Sequence, residues 1–97
     1  MIIVAGHLVM DPGDRETYLQ SCVEAVRQGR QASGCFDFSA TADLLDGARV
    51  NVFERWRSRQ DLEAFRTEGP SEEQQSMLRG GSVAEYAVDG EGHQLLG

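Results

Sequence analysis

The chain has 97 residues, 40% hydrophobic and 26% charged, which are values typical of a globular domain with one core. Its 16 acidic residues against nine arginines, with no lysine, give a formal charge of −7 and argue against binding to nucleic acid or to an anionic membrane surface. The longest apolar run is too short to cross a membrane and lacks the pattern of a secretory signal, so we expect a cytoplasmic protein.

The N-terminal run, residues 1–10, is apolar apart from His7, which predicts a strand buried on both faces. Asp11 and Pro12 follow with the features of a helix start, because Asp11 can cap a helix and proline suits the first helical position. Apolar residues then recur at helical spacing, namely Tyr18, Leu19, Cys22, Val23 and Val26. They predict one core-facing stripe, and Gly34 is predicted to end this helix.

A second strand is predicted over residues 35–42, where apolar and polar side chains alternate. Its apolar face would carry Phe36, Phe38, Ala40 and Ala42. Asp46-Gly47 then predicts the tip of a hairpin into the next strand.

A third strand is predicted over residues 49–57, because they combine β-branched and aromatic residues without glycine or proline. Successive side chains alternate between the two faces of a strand. One face carries Val50, Val52, Glu54 and Trp56, and the other carries Asn51, Phe53 and Arg55. Both faces hold apolar groups, so we expect both to be covered.

Two short helices and a last strand complete the predicted elements. Ser58 with Asp61, and Ser71 with Gln74, have the spacing of helix caps, and Glu68-Gly69-Pro70 separates the two helices. Gly80-Gly81 is predicted to end the second short helix, and residues 82–88 are predicted to form a strand.

The order strand, helix, strand, strand, helix, strand predicts an α+β, ferredoxin-like βαββαβ fold. Its four-stranded antiparallel sheet would carry helices on one face only, in a single domain of residues 1–88, followed by a tail of residues 89–97. Because a bare apolar sheet face is unfavourable in water, we expect a homodimer with Asn51, Phe53 and Arg55 near the interface.

With these elements in place, the chain resembles the antibiotic biosynthesis monooxygenase family of dimeric α+β barrels. The resemblance rests on Glu54-x-Trp56 followed by Ser58 and Leu62-Glu63-Ala64, on the Ser33–Phe36 junction, and on Ala84-Glu85-Tyr86. It implies a hydrophobic pocket between sheet and helices in which Trp56 meets a small aromatic substrate, a quinol, phenol or polyketide-like molecule. It further implies a cofactor-independent monooxygenase, with neither cofactor nor metal.

Two positions depart from the family pattern. The polyketide oxygenases carry a pocket asparagine four residues before the tryptophan, where this chain has Val52, and Asn51 points to the opposite face. Many members also carry a histidine in the following helix, where this chain has Phe65 or Arg66. The resemblance therefore implies that this chain does not bind haem as its haem-degrading relatives do.

His7 and Trp56 are the predicted catalytic residues, each with a structural alternative. His7 can act as a general base near neutral pH, or it can be a structural or dimer-interface histidine. Trp56 can stack on an aromatic substrate and donate its indole N–H, or it can fill the core.

The predicted substrate-binding residues are Phe38, Val52, Glu54, Phe65 and Tyr86. Glu54 is expected to pair with an arginine, and Phe38 and Tyr86 can equally be core residues. Cys22 and Cys35 are expected to be reduced thiols that pack as small hydrophobes. The alternative function is a non-catalytic dimeric module that binds a small molecule or serves in stress responses, because fold alone does not establish activity.

Overall fold

The computed structural model describes residues 1–66 and 69–97, and it confirms the predicted α+β ferredoxin-like fold. The strands are β1 Ile2–Met10, β2 Cys35–Ala42, β3 Arg49–Trp56 and β4 Leu78–Ala87. The helices are α1 Arg15–Gln31, α2 Arg59–Phe65 and α3 Glu72–Met77, with a 3-10 turn at Pro12–Asp14. The sheet is antiparallel with the order β2-β3-β1-β4, so β3 and β1 are its central strands.

The core lies between one face of the sheet and the helices, in two clusters. One cluster surrounds the fully buried Trp56 and contains Ile2, Val4 and Leu62. The other surrounds the fully buried Val50 and contains Met10, Tyr18 and Met77. The even-numbered side chains of β1 and β3 therefore face the helices, as the strand alternation predicts.

Gly29 sets the distance between α1 and the sheet. It is buried in the last turn of the helix, and a β-carbon at this position would lie 2.5 Å from the ring of Phe38 on β2. Only a glycine lets the aromatic ring pack directly against the helix backbone. This contact helps to place Phe38 beneath α1.

The β2–β3 hairpin is held by Asp43. Its carboxylate accepts hydrogen bonds from the backbone N–H groups of Leu45 and Asp46, at 3.0 and 2.9 Å, and from Asn51 Nδ2 at 2.9 Å. The amide of Asn51, followed by these backbone donors, lowers the pKa of Asp43 from 3.8 to about 2. The ionised carboxylate of Asp43 thus holds the hairpin in place.

The two short helices begin where their caps were predicted. The Ser58 hydroxyl accepts the backbone N–H of Asp61 at 3.2 Å, and Ser71 forms a reciprocal capping box with Gln74. Glu68, predicted to help end α2, lies outside the described residues. The predicted cap by Asp11 was wrong, because its side chain caps no backbone N–H and lies instead 3.6 Å from Arg79.

The last strand begins at Leu78, so the prediction that Gly80-Gly81 ends a helix was wrong. Gly81 has a φ of +142°, and a β-carbon there would lie 2.5 Å from the backbone oxygen of His7. Gly6, on the partner strand, has a φ of +152°, and a β-carbon there would lie 1.9 Å from the backbone oxygen of Ser82. These glycines allow β1 and β4 to approach closely and therefore belong to the sheet.

The alternation predicted that Phe36 shares the apolar face of β2 with Phe38, and this prediction was wrong. The register between β2 and β3 shifts between Cys35 and Asp37, so a bulge interrupts the alternation. Phe36 is 52% exposed, and the Arg55 guanidinium lies 5.3 Å from its ring centroid.

No helix of the described residues covers the second face of the sheet, which holds the odd-numbered residues of β1 and β3. Phe53 and Tyr86 are 39% and 55% exposed on it. Residues 89–97 form no helix or strand and are exposed. No helix among the described residues is long and apolar enough to cross a membrane.

Candidate functional site

A cavity of about 570 Å³ lies between the sheet and α1, with α2 and α3 at its edges. Its apolar walls come from Val4, Leu8, Ala25, Val26, Phe38, Ala40, Val52, Phe65, Pro70 and Val83. Of the predicted substrate-binding residues, Phe38, Val52, Glu54 and Phe65 line this cavity.

Three aromatic rings form one wall of the cavity and the layer behind it. The ring of Phe65 lies 5.5 Å from that of Phe38 and 5.4 Å from that of Trp56, measured between centroids. Trp56 is fully buried behind the lining residues, so its ring supports the wall and is not exposed in the cavity. Trp56 is therefore a core residue next to the cavity, as its structural alternative predicts, and its contact with a substrate stays a prediction.

Glu54 places a carboxylate in this apolar wall. Its side chain is only 8% exposed, and each carboxylate oxygen has a donor. Oε1 accepts the indole N–H of Trp56 at 2.9 Å, and Oε2 accepts an N–H of the Arg66 guanidinium. The predicted pairing with an arginine is thus confirmed, and the buried charge is compensated on both oxygens.

The opposite end of the cavity holds neutral polar groups. Burial, followed by the neighbouring Cys22, raises the pKa of Tyr18 to about 12, and burial also raises the pKa of the Cys22 thiol. Gln74 Nε2 donates to Ser21 Oγ at 2.9 Å and lies 4.0 Å from Cys22 Sγ. This end therefore offers a phenol and a thiol in their neutral forms, which agrees with the expectation that Cys22 is not a reactive thiolate.

His7 and Tyr86 lie away from this cavity. His7 lies opposite Asn51, and Tyr86 lies opposite Ile3. Because directly paired residues share a face, both side chains lie on the helix-free face with the odd-numbered residues of β1. Neither lines the cavity, so the structure does not bring His7 together with the other predicted site residues. A catalytic role for His7 stays a prediction, and its position argues against contact with a ligand in this cavity.

Sequence reasoning missed Arg66, Tyr18 and Gln74 as site residues. Arg66 follows α2 and reaches Glu54 across 12 positions of sequence, and Gln74 reaches α1 from the start of α3. A signal for Arg66 was present, because a glutamate on the inward face of a strand requires a cation nearby. Among the described residues, no group of three or more His, Cys, Asp or Glu could hold a metal ion.

Comparisons with known proteins agree with this architecture. The family model for antibiotic biosynthesis monooxygenase matches residues 1–75. A candidate antibiotic biosynthesis monooxygenase from Deinococcus radiodurans superposes with a TM-score of 0.79 at 17% identity, covering 100% of both chains. Rv0793 from Mycobacterium tuberculosis gives a TM-score of 0.71 at 24% identity, covering 95% of this chain and 98% of the other.

The comparison with curated proteins found no significant match. At these identities the structural likeness establishes the fold, and the family model, which covers more than half of the chain, establishes the family. The chain therefore belongs to the antibiotic biosynthesis monooxygenase family.

Proposed function

We propose that this protein is a cofactor-independent monooxygenase that oxidises a small aromatic quinol or phenol with O₂ inside the cavity described above. The observation that supports this most is a buried carboxylate, that of Glu54, in the wall of a predominantly apolar cavity. Such a group can accept a proton from a substrate hydroxyl while the apolar walls exclude water.

The dimensions and walls of the cavity suit such a substrate. A volume of about 570 Å³ lies within the range of about 300–1,000 Å³ that is usual for small-molecule sites. Phe38 and Phe65 offer aromatic surfaces on which a planar ring can stack.

The proposed reaction needs no external reductant. A substrate SH₂ loses a proton to Glu54, and the electron-rich anion transfers electrons to O₂. One oxygen atom is retained in the product S=O, and the other leaves as water, so that SH₂ and O₂ give SO and H₂O. All of the electrons come from the substrate, and O₂ is the oxidant.

A second candidate function is a non-catalytic binding module. Two observations favour it. Arg66 pairs with the Glu54 carboxylate, so the group that would act as base is already bonded. His7, the other predicted base, lies on the opposite face of the sheet. This module would bind the same aromatic molecules without consuming oxygen.

Oxygen uptake distinguishes the two functions. The purified protein is tested on a panel of quinols and phenols, together with Glu54→Gln and, as a matched control, Glu63→Gln on the exposed surface of α2. We expect wild type and Glu63→Gln to consume O₂ alike, and Glu54→Gln to be slower by about 10²–10⁴-fold. Binding without oxygen uptake by wild type would favour the module, and full activity of Glu54→Gln would remove this residue from the mechanism.

We further propose that the protein acts as a homodimer joined through the helix-free face of the sheet. The partly exposed rings of Phe53 and Tyr86 support this proposal, because a partner sheet would cover them. In that arrangement His7 and Asn51 would also lie at or near the interface.

A further inference from the structure

Glu54 and Arg66 are the two charged residues among the described residues that line the cavity. The other polar lining groups are Tyr18, Cys22, Gln28, Ser39 and Gln74, and the first two are neutral because burial raises the pKa of each. The cavity thus contains one negative and one positive group, and they are bonded to each other. Any ligand that enters meets this ion pair.

The two partners are held to very different degrees. Glu54 lies on central strand β3, its side chain is 8% exposed, and the indole of Trp56 fixes its other oxygen. Arg66 lies just after the last residue of α2, and its side chain is 44% exposed. Its bond to the carboxylate uses one nitrogen, Nη2. Arg66 is therefore the partner that can turn towards a ligand while Glu54 stays in place.

Building on the proposed function, we propose that Arg66 exchanges partners during substrate activation, passing from the Glu54 carboxylate to the oxygen of an ionising phenol. The phenol O–H bond breaks and a new O–H bond forms at Glu54 Oε2. The proton moves, no electron does, and the cavity keeps one positive and one negative charge. Arg66 then holds the phenolate that reacts with O₂.

This exchange meets a physical difficulty of the reaction. A phenol is a weaker acid than a glutamic acid by about six pKa units in water, so proton transfer to a lone carboxylate is strongly unfavourable. An arginine that pairs with the phenolate favours its charged form, most strongly where water is excluded. The exchange also defines the ligand class, which is aromatic molecules with an ionisable hydroxyl rather than plain aromatic hydrocarbons.

The test measures ionisation of a bound phenol without any turnover. The probe is 4-nitrophenol, whose visible absorbance distinguishes phenol from phenolate, titrated over pH with the intact protein. The variants are Arg66→Gln, Arg66→Lys and Glu54→Gln, with Arg59→Gln as the matched control. Arg59 is the first residue of α2, the helix that Arg66 follows, and it pairs with Glu85 at 3.0 Å, away from the cavity.

We expect wild type and Arg59→Gln to lower the apparent pKa of bound nitrophenol by about one unit or more relative to the free molecule. Glu54→Gln should lower it further, because the carboxylate no longer competes for Arg66. Arg66→Gln should abolish the shift, and Arg66→Lys should restore part of it, with folding checked by circular dichroism.

Two failures can be told apart. Bound nitrophenol that ionises equally in wild type and Arg66→Gln would overturn the partner exchange and leave the proposed oxygenase in place. Absence of nitrophenol binding in wild type would contradict the proposed aromatic site itself, and the exchange would fall with it.

Discussion

At the scale of single residues, Glu54 organises the candidate site. A carboxylate that is only 8% exposed is costly unless its oxygens are bonded, and here Trp56 and Arg66 supply one donor each. Trp56 therefore acts on the cavity indirectly, by orienting Glu54 and supporting the ring of Phe65.

Replacement of Trp56 by phenylalanine removes the indole N–H and leaves Oε1 of Glu54 without this donor. We expect a loss of about 1–3 kcal/mol in the free energy of unfolding, measured by urea denaturation. In a Glu54→Leu background, which has no carboxylate to satisfy, the same replacement should cost clearly less. Equal costs in both backgrounds would mean that the hydrogen bond contributes nothing and that Trp56 acts through packing alone.

Replacement of His7 by alanine tests the catalytic role predicted from the sequence. Because His7 lies on the face opposite the cavity, we expect His7→Ala to bind 4-nitrophenol and to consume oxygen as wild type does. A profile of rate against pH 5 to 9 provides the measurement. A large loss of rate in folded, dimeric His7→Ala would restore the imidazole as the base.

The alternation of the strands allowed some site residues to be predicted, because Val52 and Glu54 share the face of Trp56. The same alternation could not say which face of the sheet the helices cover, so Tyr86 was assigned to the cavity and lies elsewhere. Arg66 and Gln74 could not be found by alternation, because each reaches the site from another element and the contact depends on how the elements pack.

At the scale of elements, the contact between α1 and β2 depends on the missing side chain of Gly29. Alanine usually stabilises a helix relative to glycine by about 0.5–1 kcal/mol. Here its β-carbon would lie 2.5 Å from the ring of Phe38, so we expect Gly29→Ala to destabilise the fold by about 1–3 kcal/mol.

Gly13→Ala is the matched control, because a β-carbon at this position would have nothing within 4 Å. Urea denaturation of the two variants should give opposite or clearly unequal effects. A stabilising effect of Gly29→Ala would show that α1 can shift away from β2 without cost.

The β2–β3 hairpin should carry an acid-sensitive part of the stability. The pKa of Asp43 is lowered from 3.8 to about 2 in the folded state. The ionised carboxylate therefore contributes its full stabilisation above the unfolded-state pKa, and this stabilisation is lost as pH falls through the folded-state pKa. We expect the difference in unfolding free energy between wild type and Asp43→Asn to shrink as pH falls from about 4 to about 2. Urea denaturation at several pH values measures this, and a difference independent of pH would contradict it.

The bounds of elements were predictable where the cause is local. Ser58 and Ser71 begin helices because their own hydroxyl groups bond the first turn. The start of β4 was not predictable, because Gly80-Gly81 resembles a helix stop unless one knows that β1 lies alongside. The bulge at Phe36 likewise arises from pairing with β3, which the segment itself does not encode.

At the scale of the molecule, the helix-free face is the surface through which we propose that the protein dimerises. It carries Phe53, Tyr86 and the odd-numbered residues of β1, which water would otherwise contact. We expect light scattering to give twice the chain mass of 10.7 kDa, and Phe53→Glu to give the monomer, because each subunit would then have to bury an unpaired carboxylate at the interface. Glu63→Gln is the control, and a monomeric wild type at micromolar concentration would contradict the dimer.

We propose that the cavity between sheet and α1 binds small phenols, and the protein contains a reporter for this binding. Trp56 is the sole tryptophan, and its indole is bonded to the cavity residue Glu54. The measurement is a titration of tryptophan fluorescence with 4-nitrophenol, in wild type and in Ala25→Phe, which places a ring into the cavity from α1. We predict a saturable change in wild type that Ala25→Phe abolishes. A wild type that gives no saturable change, or an Ala25→Phe protein that responds as wild type does, would contradict phenol binding in this cavity.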